Sequence, residues 1–378
     1  MLKDLKNSIK KILLVHSSND VYGASKVLIS LIEIFIKKGY EIHLILPCDG
    51  PLKHDNIINQ TKINIVKLGV FRKKYFNFLG LINRLFFIIK STIFIKNYIN
   101  EYDIDFIYVN TSTIISPLIA SKITKKNNLC HIHEIPIKSK IYSKFIALFL
   151  NLFSENIVLV SNSVNNFWLK KGLDKRKIKI IYNGFNFNST IKKKTKNKKI
   201  IFTSISRIIP YKGHLLLLDI FEKLTLKNDN IYLQIVGDTL PYYQDYLDQL
   251  KLNVKNKGLN HKITFMGFKD DILPILSNSS FFIHTPISPD PLPTVVIEAI
   301  KTRTPVITNN LGGAYEILDN GKNGLIINNK SVDESVKKIL DYLNHKQKQE
   351  RIVNNAYNYI CENFTIEKFK LNILEIIE

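Results

Sequence analysis

Short apolar runs alternate with helix-length segments along the whole chain. Runs that are apolar throughout, placed between helices, are typical of parallel strands covered on both faces. The helices predicted in the first half include Ala24–Lys37 and Ile114–Lys125. The strands predicted there are Lys11–His16, Glu41–Leu46, Ile63–Lys67, Phe106–Val109, Leu129–His133 and Ile157–Val160.

The same alternation restarts after a polar, basic segment that has no periodicity. The second set of predicted strands is Lys199–Ser204, Ile231–Val236, Ile263–Phe265, Phe281–His284, Pro305–Thr308 and Leu325–Ile327. The pattern therefore predicts an α/β protein with two doubly wound parallel-sheet domains, residues 1–184 and 199–362, that face each other across a cleft. Residues 185–198 are the predicted linker.

Candidate binding residues in the second half follow predicted strands, where open α/β sheets bind their ligands. Arg207 and Lys212 come after the first strand of this domain and could neutralise a diphosphate there. Ordinary surface charge is the alternative interpretation. Gly237 follows the next strand and would let the backbone approach a nucleotide.

A further candidate site surrounds a predicted helix, Thr294–Thr302, with Pro293 suited to its first turn. The positive end of such a helix favours an anion. Glu298 shares a helix face with Thr294 and has apolar neighbours, so burying its carboxylate requires partners such as ribose hydroxyls. Two alternatives stay open, namely that Glu298 is exposed and that Asp290 is only a turn former.

Two histidines lie at the end of a predicted strand in the first half, where alternation places His131 and His133 on the same side. A metal site would need a third ligand, and none has a suitable spacing. Core or surface histidines, or a histidine that contacts a ligand at the strand end, remain as interpretations.

Several segments resemble motifs of glycosyltransferase family 4 and occur in that family's order. They read S-R-I-I-P-Y-K-G at 206–213, D-P-L-P-T-V-V-I-E at 290–298, P-V-I-T-N-N-L-G-G-A-Y-E at 305–316 and G-K-N-G-L at 321–325. The first-half loop N-D-V-Y-G-A at 19–24 is also similar. The resemblance implies a GT-B fold with two Rossmann-like domains and a closing helix, within 363–378, that packs back on the first domain. It further implies retaining, metal-independent transfer from a UDP- or GDP-sugar with no other cofactor.

Carried over to matching positions, the resemblance assigns roles to individual residues. It implies that Arg207, Lys212, His133 and Asp290 act in catalysis, with His133 touching the donor sugar, and that Glu134 lies near the acceptor. Asp290 stands where the family usually has glutamate, which leaves the choice of sugar open. The donor-binding residues implied are Gly23, Gly237, Met266, Phe268, Leu292, Pro293, Thr294, Val295 and Glu298.

The formal charge of +22 has two interpretations. One is a lysine-rich composition throughout, and the other is affinity for polyanions. No nucleic-acid-binding module is evident, and an anionic membrane surface fits better, since basic and aromatic residues interleave at 71–87 and 138–150. Membrane-spanning helices are not predicted, because Arg84 and Lys90 interrupt Phe78–Ile95 and polar residues interrupt Ile141–Val160.

The start of the chain has no signal-peptide pattern, and three scattered cysteines fit a reducing cytoplasm. We therefore expect a cytoplasmic glycosyltransferase, peripheral on the inner face of the plasma membrane, that builds a bacterial surface polysaccharide on a glycan or polyprenyl-linked acceptor. The alternatives are a sugar-nucleotide epimerase of similar shape and a non-enzymatic polyanion-binding protein. The oligomeric state stays open.

Overall fold

The computed structural model describes residues 10–21, 23–71, 75, 77–136, 140–187 and 199–378. Contacts divide the chain into two units, the first made of Met1–Gly184 and Ile366–Glu378 and the second of Phe185–Thr365. The predicted linker lies outside the described residues from position 188 onward.

The first unit contains a seven-stranded sheet of order β3-β2-β1-β4-β5-β6-β7, in which every strand pair is parallel. The strands are β1 (Lys11–Val15), β2 (Glu41–Leu46), β3 (Lys62–Ile65), β4 (Phe106–Val109), β5 (Asn127–Ile132), β6 (Asn156–Leu159) and β7 (Ile178–Ile180). The helices are α1 (Gly23–Lys37), α2 (Phe78–Glu101), α3 (Ser116–Thr124), α4 (Lys140–Phe153), α5 (Asn162–Leu169) and, at the end of the chain, α13 (Ile366–Ile377).

The core of this unit draws on both ends of its sequence. Ile12 and Leu14 of β1 are fully buried in one cluster with Phe369 and Ile373 of α13. Each large apolar side chain that is buried contributes about 2 kcal/mol to the stability of the folded state. The last helix therefore completes the first unit's core although it follows the second unit in sequence.

The second unit contains a six-stranded parallel sheet of order β10-β9-β8-β11-β12-β13. Its strands are β8 (Ile200–Ile205), β9 (Ile231–Val236), β10 (Ile263–Gly267), β11 (Phe281–His284), β12 (Val306–Asn309) and β13 (Leu325–Ile327). Its helices are α6 (His214–Lys227), α7 (Gln244–Asn256), α8 (Leu273–Ser277), α9 (Thr294–Lys301), α10 (Gly313–Ile317), α11 (Val332–Asn344) and α12 (Lys346–Asn363).

Both sheets confirm the predicted α/β, doubly wound fold class. In each, the first strand lies between its sequence successor and a later strand, β1 between β2 and β4 and β8 between β9 and β11. Such reversals of strand order open a crevice at the carboxyl edge of the sheet. The loops that follow β1, β4, β8 and β11 are therefore the ones that can form a site.

Helix α2 covers the apolar region for which Arg84 and Lys90 predict that no membrane-spanning helix forms. The helix is continuous from Phe78 to Glu101 and is long and apolar enough to cross a membrane by length and composition. One of its faces, however, is buried at Ile88, Ile95 and Ile99, and the helix packs against α3. This packing fixes α2 to the first unit, while much of its remaining surface is apolar and exposed.

Candidate active site

The loop between β8 and α6 carries the first group of predicted site residues. It closes with a single 3-10 turn, Pro210–Lys212, followed by Gly213 at φ 72°. A Cβ at Gly213 would lie 1.9 Å from the carbonyl oxygen of Thr285, just after β11. Glycine is therefore required for this turn to pack against the end of β11, and that packing sets the position of Lys212.

Lys212 and Asp290 form an ion pair in which Nζ donates a hydrogen bond to Oδ2 of Asp290. Their side chains are only 26% and 13% exposed. Burial alone would raise the pKa of Asp290, but the charge and the hydrogen bond of Lys212 oppose this effect, and the pKa lies below its ordinary value. Arg207 acts on the Asp290 carboxylate in the same direction. The pair thus holds a carboxylate and an ammonium, both charged, at the carboxyl edge of the sheet.

His284 is the last residue of β11 and was not among the predicted site residues. Its Nε2 lies 3.6 Å from Oδ2 of Asp290 and has no hydrogen-bond partner among the residues described. Burial lowers the pKa of His284 to about 4, even though Asp290 raises it. The imidazole is therefore neutral near pH 7 and presents an unused nitrogen beside the ion pair.

The two consecutive glycines of the 305–316 motif hold the backbone of Asp290. The amide of Gly313 donates a 2.7 Å hydrogen bond to the carbonyl oxygen of Asp290. Gly312 has φ 73°, and a Cβ there would lie 2.3 Å from the same oxygen. These glycines allow the loops after β11 and β12 to pack directly on one another.

Helix α9 begins at Thr294, directly beyond this loop. Its N-cap residue, Pro293, makes no side-chain hydrogen bond to the amides of the first turn. Leu292 and Pro293 are buried, whereas Thr294, Val295 and Glu298 are partly accessible along the helix start. An accessible first turn of this kind favours an anion.

Gly237 is linked to the loop that carries Arg207. It has φ 133°, and a Cβ there would lie 2.0 Å from the carbonyl oxygen of Ser206. The predicted glycine therefore serves close packing between the ends of β8 and β9.

Met266 and Phe268 lie at the carboxyl end of β10, with β9 between them and β8. The strand register shifts between Phe265 and Gly267, and the Phe268 ring is 53% exposed. Met266 and Phe268 lie at the same carboxyl edge of the sheet as Lys212 and Asp290, but two strands away from β8.

The first unit has a polar chain of its own at the carboxyl edge of its sheet. Nε2 of His133 lies 2.8 Å from Oδ1 of Asn110, and Nδ2 of Asn110 lies 3.2 Å from Nδ1 of His16. Nε2 of His16 in turn lies 3.2 Å from Oγ of Ser25 at the start of α1. An amide oxygen can only accept a hydrogen bond and an amide nitrogen can only donate one. His133 is therefore protonated on Nε2, and Nδ1 of His16 is unprotonated.

Both histidines of this chain are neutral in the folded protein. Burial lowers the pKa of His16 to about 4 and the pKa of His133 well below its ordinary value. Because Nε2 of His133 donates to Asn110, Nδ1 of His133 is left as an acceptor.

Glu134, the predicted acceptor-side residue, is engaged by neighbouring donors. Its carboxylate accepts hydrogen bonds from Oγ1 of Thr111, from the amide and hydroxyl of Ser112 and from the amide of His133. Burial raises the pKa of Glu134 despite these bonds. The carboxylate therefore fastens the loop after β4 to the end of β5.

His131 behaves differently from His133, although their rings are only 4.1 Å apart. Nδ1 of His131 lies 2.7 Å from the Tyr108 hydroxyl, and the side chain is fully buried. No group of three metal-ligating side chains occurs among the described residues. His131 is thus a core histidine, whereas His133 belongs to the edge of the sheet.

Gly23, the remaining predicted residue, is the first residue of α1 and is exposed. A Cβ there would meet nothing within 4 Å, so packing among the described residues does not require glycine at this position. Its neighbour Tyr22 lies outside the described residues.

Sequence reasoning missed three residues of these two edges, namely His16, Asn110 and His284. Each directly follows or ends a strand that was predicted from the apolar pattern. A search for polar residues at every predicted strand end would have found all three.

Comparison with known proteins places both halves of the chain in the same functional class. The model described as Glycosyltransferase Family 4 matches residues 21–189, and the model described as Glycosyl transferases group 1 matches residues 186–359. Together they account for nearly the whole chain.

Two relatives illustrate the range of similarity. An uncharacterized glycosyltransferase of Methanocaldococcus jannaschii is 26% identical over 314 residues, which are 75% of this chain and 78% of that protein. The capsular polysaccharide biosynthesis glycosyltransferase CapH of Staphylococcus aureus is 32% identical over 179 residues. That match covers 47% of this chain and about half, 49%, of CapH.

The fold is shared with solved structures. The crystal structure of Anabaena HepE in complex with UDP and glucose superposes with a TM-score of 0.81 at 24% identity, covering 97% of this chain and 99% of HepE. At this level of identity the likeness establishes the fold.

Proposed function

Because this chain belongs to the GT-B glycosyltransferases of family 4 type, we propose that it is a retaining enzyme that uses a nucleotide-diphosphate sugar. The acceptor would be a hydroxyl group of a glycan or of a lipid-linked saccharide. The observation that carries this proposal is the partly buried Lys212–Asp290 ion pair beside the start of α9, where the N-cap residue Pro293 makes no side-chain hydrogen bond.

The donor diphosphate would bind where positive charge converges. Arg207 and Lys212 lie on the loop after β8, and the first turn of α9 adds amide donors at the same edge. A charge that develops on the leaving phosphate oxygen is stabilised by groups already held in place. Lys212 is held in this way by Asp290, so it needs little reorganisation when the sugar–phosphate bond breaks.

Asp290 and Glu298 would accept hydrogen bonds from hydroxyl groups of the donor. Oδ2 of Asp290 accepts the hydrogen bond from Lys212, so a sugar hydroxyl would bind at Oδ1. Glu298 lies one turn into α9 on the same face as Thr294, which suits the ribose hydroxyls. Leu292, Pro293, Thr294 and Val295 would line the diphosphate and ribose, while Met266 and Phe268 would contact the base.

The transfer itself requires no nucleophile from the enzyme. The acceptor oxygen forms its bond to the anomeric carbon on the face that the diphosphate leaves, and the electrons of the breaking carbon–oxygen bond go to the phosphate oxygen. That oxygen takes the acceptor's proton, so the step needs neither a metal ion nor another cofactor.

For the first unit we propose that Gly23 lies near the diphosphate, that His133 contacts the donor sugar and that Glu134 acts on the acceptor side. The support for His133 is its neutral ring at the carboxyl edge with Nδ1 as an acceptor. Because the Glu134 carboxylate accepts hydrogen bonds from Thr111 and Ser112, its proposed contribution is to fix the conformation of the loop after β4 on the acceptor side.

The biological setting follows from relatives. HepE was crystallised with UDP and glucose, and CapH is described as a capsular polysaccharide enzyme. These descriptions favour a UDP-sugar, with GDP-sugars as the second choice, and a bacterial surface polysaccharide as the product. We propose that the enzyme works in the cytoplasm on the inner face of the plasma membrane.

A donor screen tests the proposal directly. Thermal shift with UDP-, GDP- and other nucleotide-sugars should identify one stabilising donor, since a ligand at a hundred times its Kd stabilises a protein by about 2.7 kcal/mol. The same donor should then lose its sugar faster when a glycan or polyprenyl-linked acceptor is added. Stabilisation by none of them would refute the proposal, and acceptor-independent release of nucleotide would indicate an epimerase instead.

A further inference from the structure

The first unit carries an exposed apolar surface on α2 and α4 that we call the apolar face. On α2 it includes Phe78 and Leu79, which are 78% and 77% exposed. On α4 the exposed residues are Ile141, Phe145, Leu148 and Leu152, a spacing that forms one stripe along the helix. Contiguous apolar surface of this kind marks a binding site or a membrane contact.

A groove of about 380 Å³ lies within the apolar face, between α2, α3 and α4. Its walls are almost entirely hydrocarbon, with Thr92 as the only residue bearing a polar side chain among those that line it. The lining includes Leu85, Ile89, Ile119 and Phe149. With a single hydroxyl group in its lining, such a groove is poorly suited to a sugar or a nucleotide, but it fits a hydrocarbon chain.

Charge distinguishes this face from an ordinary protein interface. Helix α2 contains Arg84, Lys90 and Lys96 and no acid before its last residue, Glu101. Helix α4 contains Lys140 and Lys144 and no acid. Lys90 and Lys96 on α2 are exposed beside the apolar side chains. Apolar side chains flanked by cations match an anionic lipid surface.

Two other occupants fit less well. A symmetric contact with a second copy would bring the same basic helices together without acids to pair with them. A membrane-spanning arrangement of α2 would expose to lipid the residues Ile88, Ile95 and Ile99, which are buried in the unit. Lying on the surface of a bilayer keeps this packing intact.

We propose that the apolar face is a lipid-binding site that docks the enzyme on anionic bilayers and seats one lipid hydrocarbon chain in the groove. This inference deepens the proposed function, on which it rests for its purpose, since docking brings the enzyme to a lipid-linked acceptor. Its physical basis is the exposed hydrocarbon and the one-sided charge.

Flotation of the full chain with vesicles tests the docking. Vesicles of phosphatidylcholine mixed with phosphatidylglycerol should bind the protein, and pure phosphatidylcholine vesicles should bind it at least about tenfold more weakly. L79D should reduce binding to the mixed vesicles by about tenfold, because it removes an inserting side chain and adds a repelled charge. The matched control is L226D, since Leu226 is 79% exposed in the second unit, and it should bind like the wild type.

The charges are tested separately by changing Lys90 and Lys96 to glutamate, with Lys337 and Lys346 changed to glutamate as the control of equal net charge. The first pair should lower binding by about fivefold per position, and the second pair should have little effect. An equal loss of vesicle binding in the two double variants would overturn the proposal and indicate general electrostatic attraction by the +22 charge.

The groove is tested by Ile119→Trp, which fills it from α3 without adding charge. We expect weaker vesicle binding at an unchanged melting temperature, and full binding would contradict a seated chain. Concentration-dependent dimers that L79D abolishes, together with no vesicle binding, would show that a second copy covers the face. Vesicle binding without stabilisation by any nucleotide-sugar would uphold this inference while refuting the proposed function.

Discussion

Oδ2 of Asp290 accepts a hydrogen bond from Nζ of Lys212 and lies 3.6 Å from Nε2 of His284. Lys212 comes from the loop between β8 and α6, His284 from the end of β11 and Asp290 from the loop that leads to α9. A carboxylate between an ammonium and a neutral imidazole keeps its charge in spite of burial. The proposed donor chemistry in the second unit would therefore depend on this oxygen.

Replacing Lys212 by methionine should lower kcat by about a hundredfold to a thousandfold, the effect of removing one preorganised donor to a developing anion. The folded protein should also lose stability, because the partly buried Asp290 carboxylate would lose the ammonium group that compensates its charge. The control is K223M, which removes the exposed ion pair with Asp333 in the same unit and should leave kcat unchanged. Steady-state kinetics with wild-type kcat for K212M would refute the assignment.

Glu298→Ala should act on donor affinity more than on turnover. Loss of two hydrogen bonds from ribose hydroxyls to a carboxylate raises the donor KM by about tenfold to a hundredfold. The exposed Glu350 of α12 offers a control, and E350A should leave the KM unchanged. The measurement is a donor titration at saturating acceptor, and an unchanged donor KM in E298A would argue that Glu298 does not bind the ribose.

His284 makes stability depend on pH in a defined direction. Its pKa is about 4 in the folded protein against 6.5 for an unperturbed histidine, so the unfolded chain binds the extra proton first as the pH falls. Stability from this group is complete above about pH 6.5 and is lost toward about pH 4. Between about pH 7.5 and about pH 5 the wild type should lose about 2 kcal/mol more than H284N. Denaturant unfolding at both values checks this, with H345N as the exposed control.

A wild-type pH dependence in H284N would contradict this prediction. His16, His131 and His214 also have lowered pKa values, so the variant should reduce the dependence rather than remove it.

Gly213→Ala should destabilise the second unit more than Gly258→Ala. Both glycines have positive φ, 72° and 67°, so both variants bear the cost of left-handed backbone, about 1 kcal/mol. Only Gly213 is crowded, by the carbonyl oxygen of Thr285, whereas a Cβ at Gly258 meets nothing within 4 Å. The free energy of unfolding of G213A should be lower than that of G258A by roughly 2 kcal/mol. Equal destabilisation of the two variants would show that the close contact with the Thr285 carbonyl is dispensable.

The sequence allowed the fold to be predicted because most strands are built around short apolar runs that alternate with helix-length segments. Strands β2, β4, β9, β11 and β13 have the predicted bounds, although β2 begins at Glu41 and β11 ends at His284. Strand β7 was missed because Ile178–Ile180 is short and mostly exposed, so burial gives it no apolar pattern. The charges of Arg84 and Lys90 were the reason to predict no membrane span at 78–95, but the sequence could not show that Arg84 is buried and stacks on Tyr75, 3.8 Å from the ring centroid.

The candidate site could be predicted where motifs have fixed spacing, as for Lys212 and Asp290. Which residues meet across loops could not be read from spacing, because the contact of His284 with Asp290 depends on how the chain returns after β11. The chain from His133 through Asn110 to His16 was hidden for the same reason, since it joins residues from three strands that are adjacent only in the folded sheet.

Asn110→Asp tests whether that chain matters for catalysis or only for folding. The amide of Asn110 donates to Nδ1 of His16, and a carboxylate cannot, so His16 must move its proton to Nδ1 or become charged. We expect a tautomer change visible in nitrogen-edited NMR of the imidazole rings and a fall in kcat of about tenfold to a hundredfold. The control is N128D, since Asn128 is equally buried but lies at the start of β5, where it bonds to Ser121. Both variants should lose stability through a buried carboxylate, but only N110D should lose kcat among the molecules that remain folded. Equal kcat in the two variants would assign Asn110 a purely structural role.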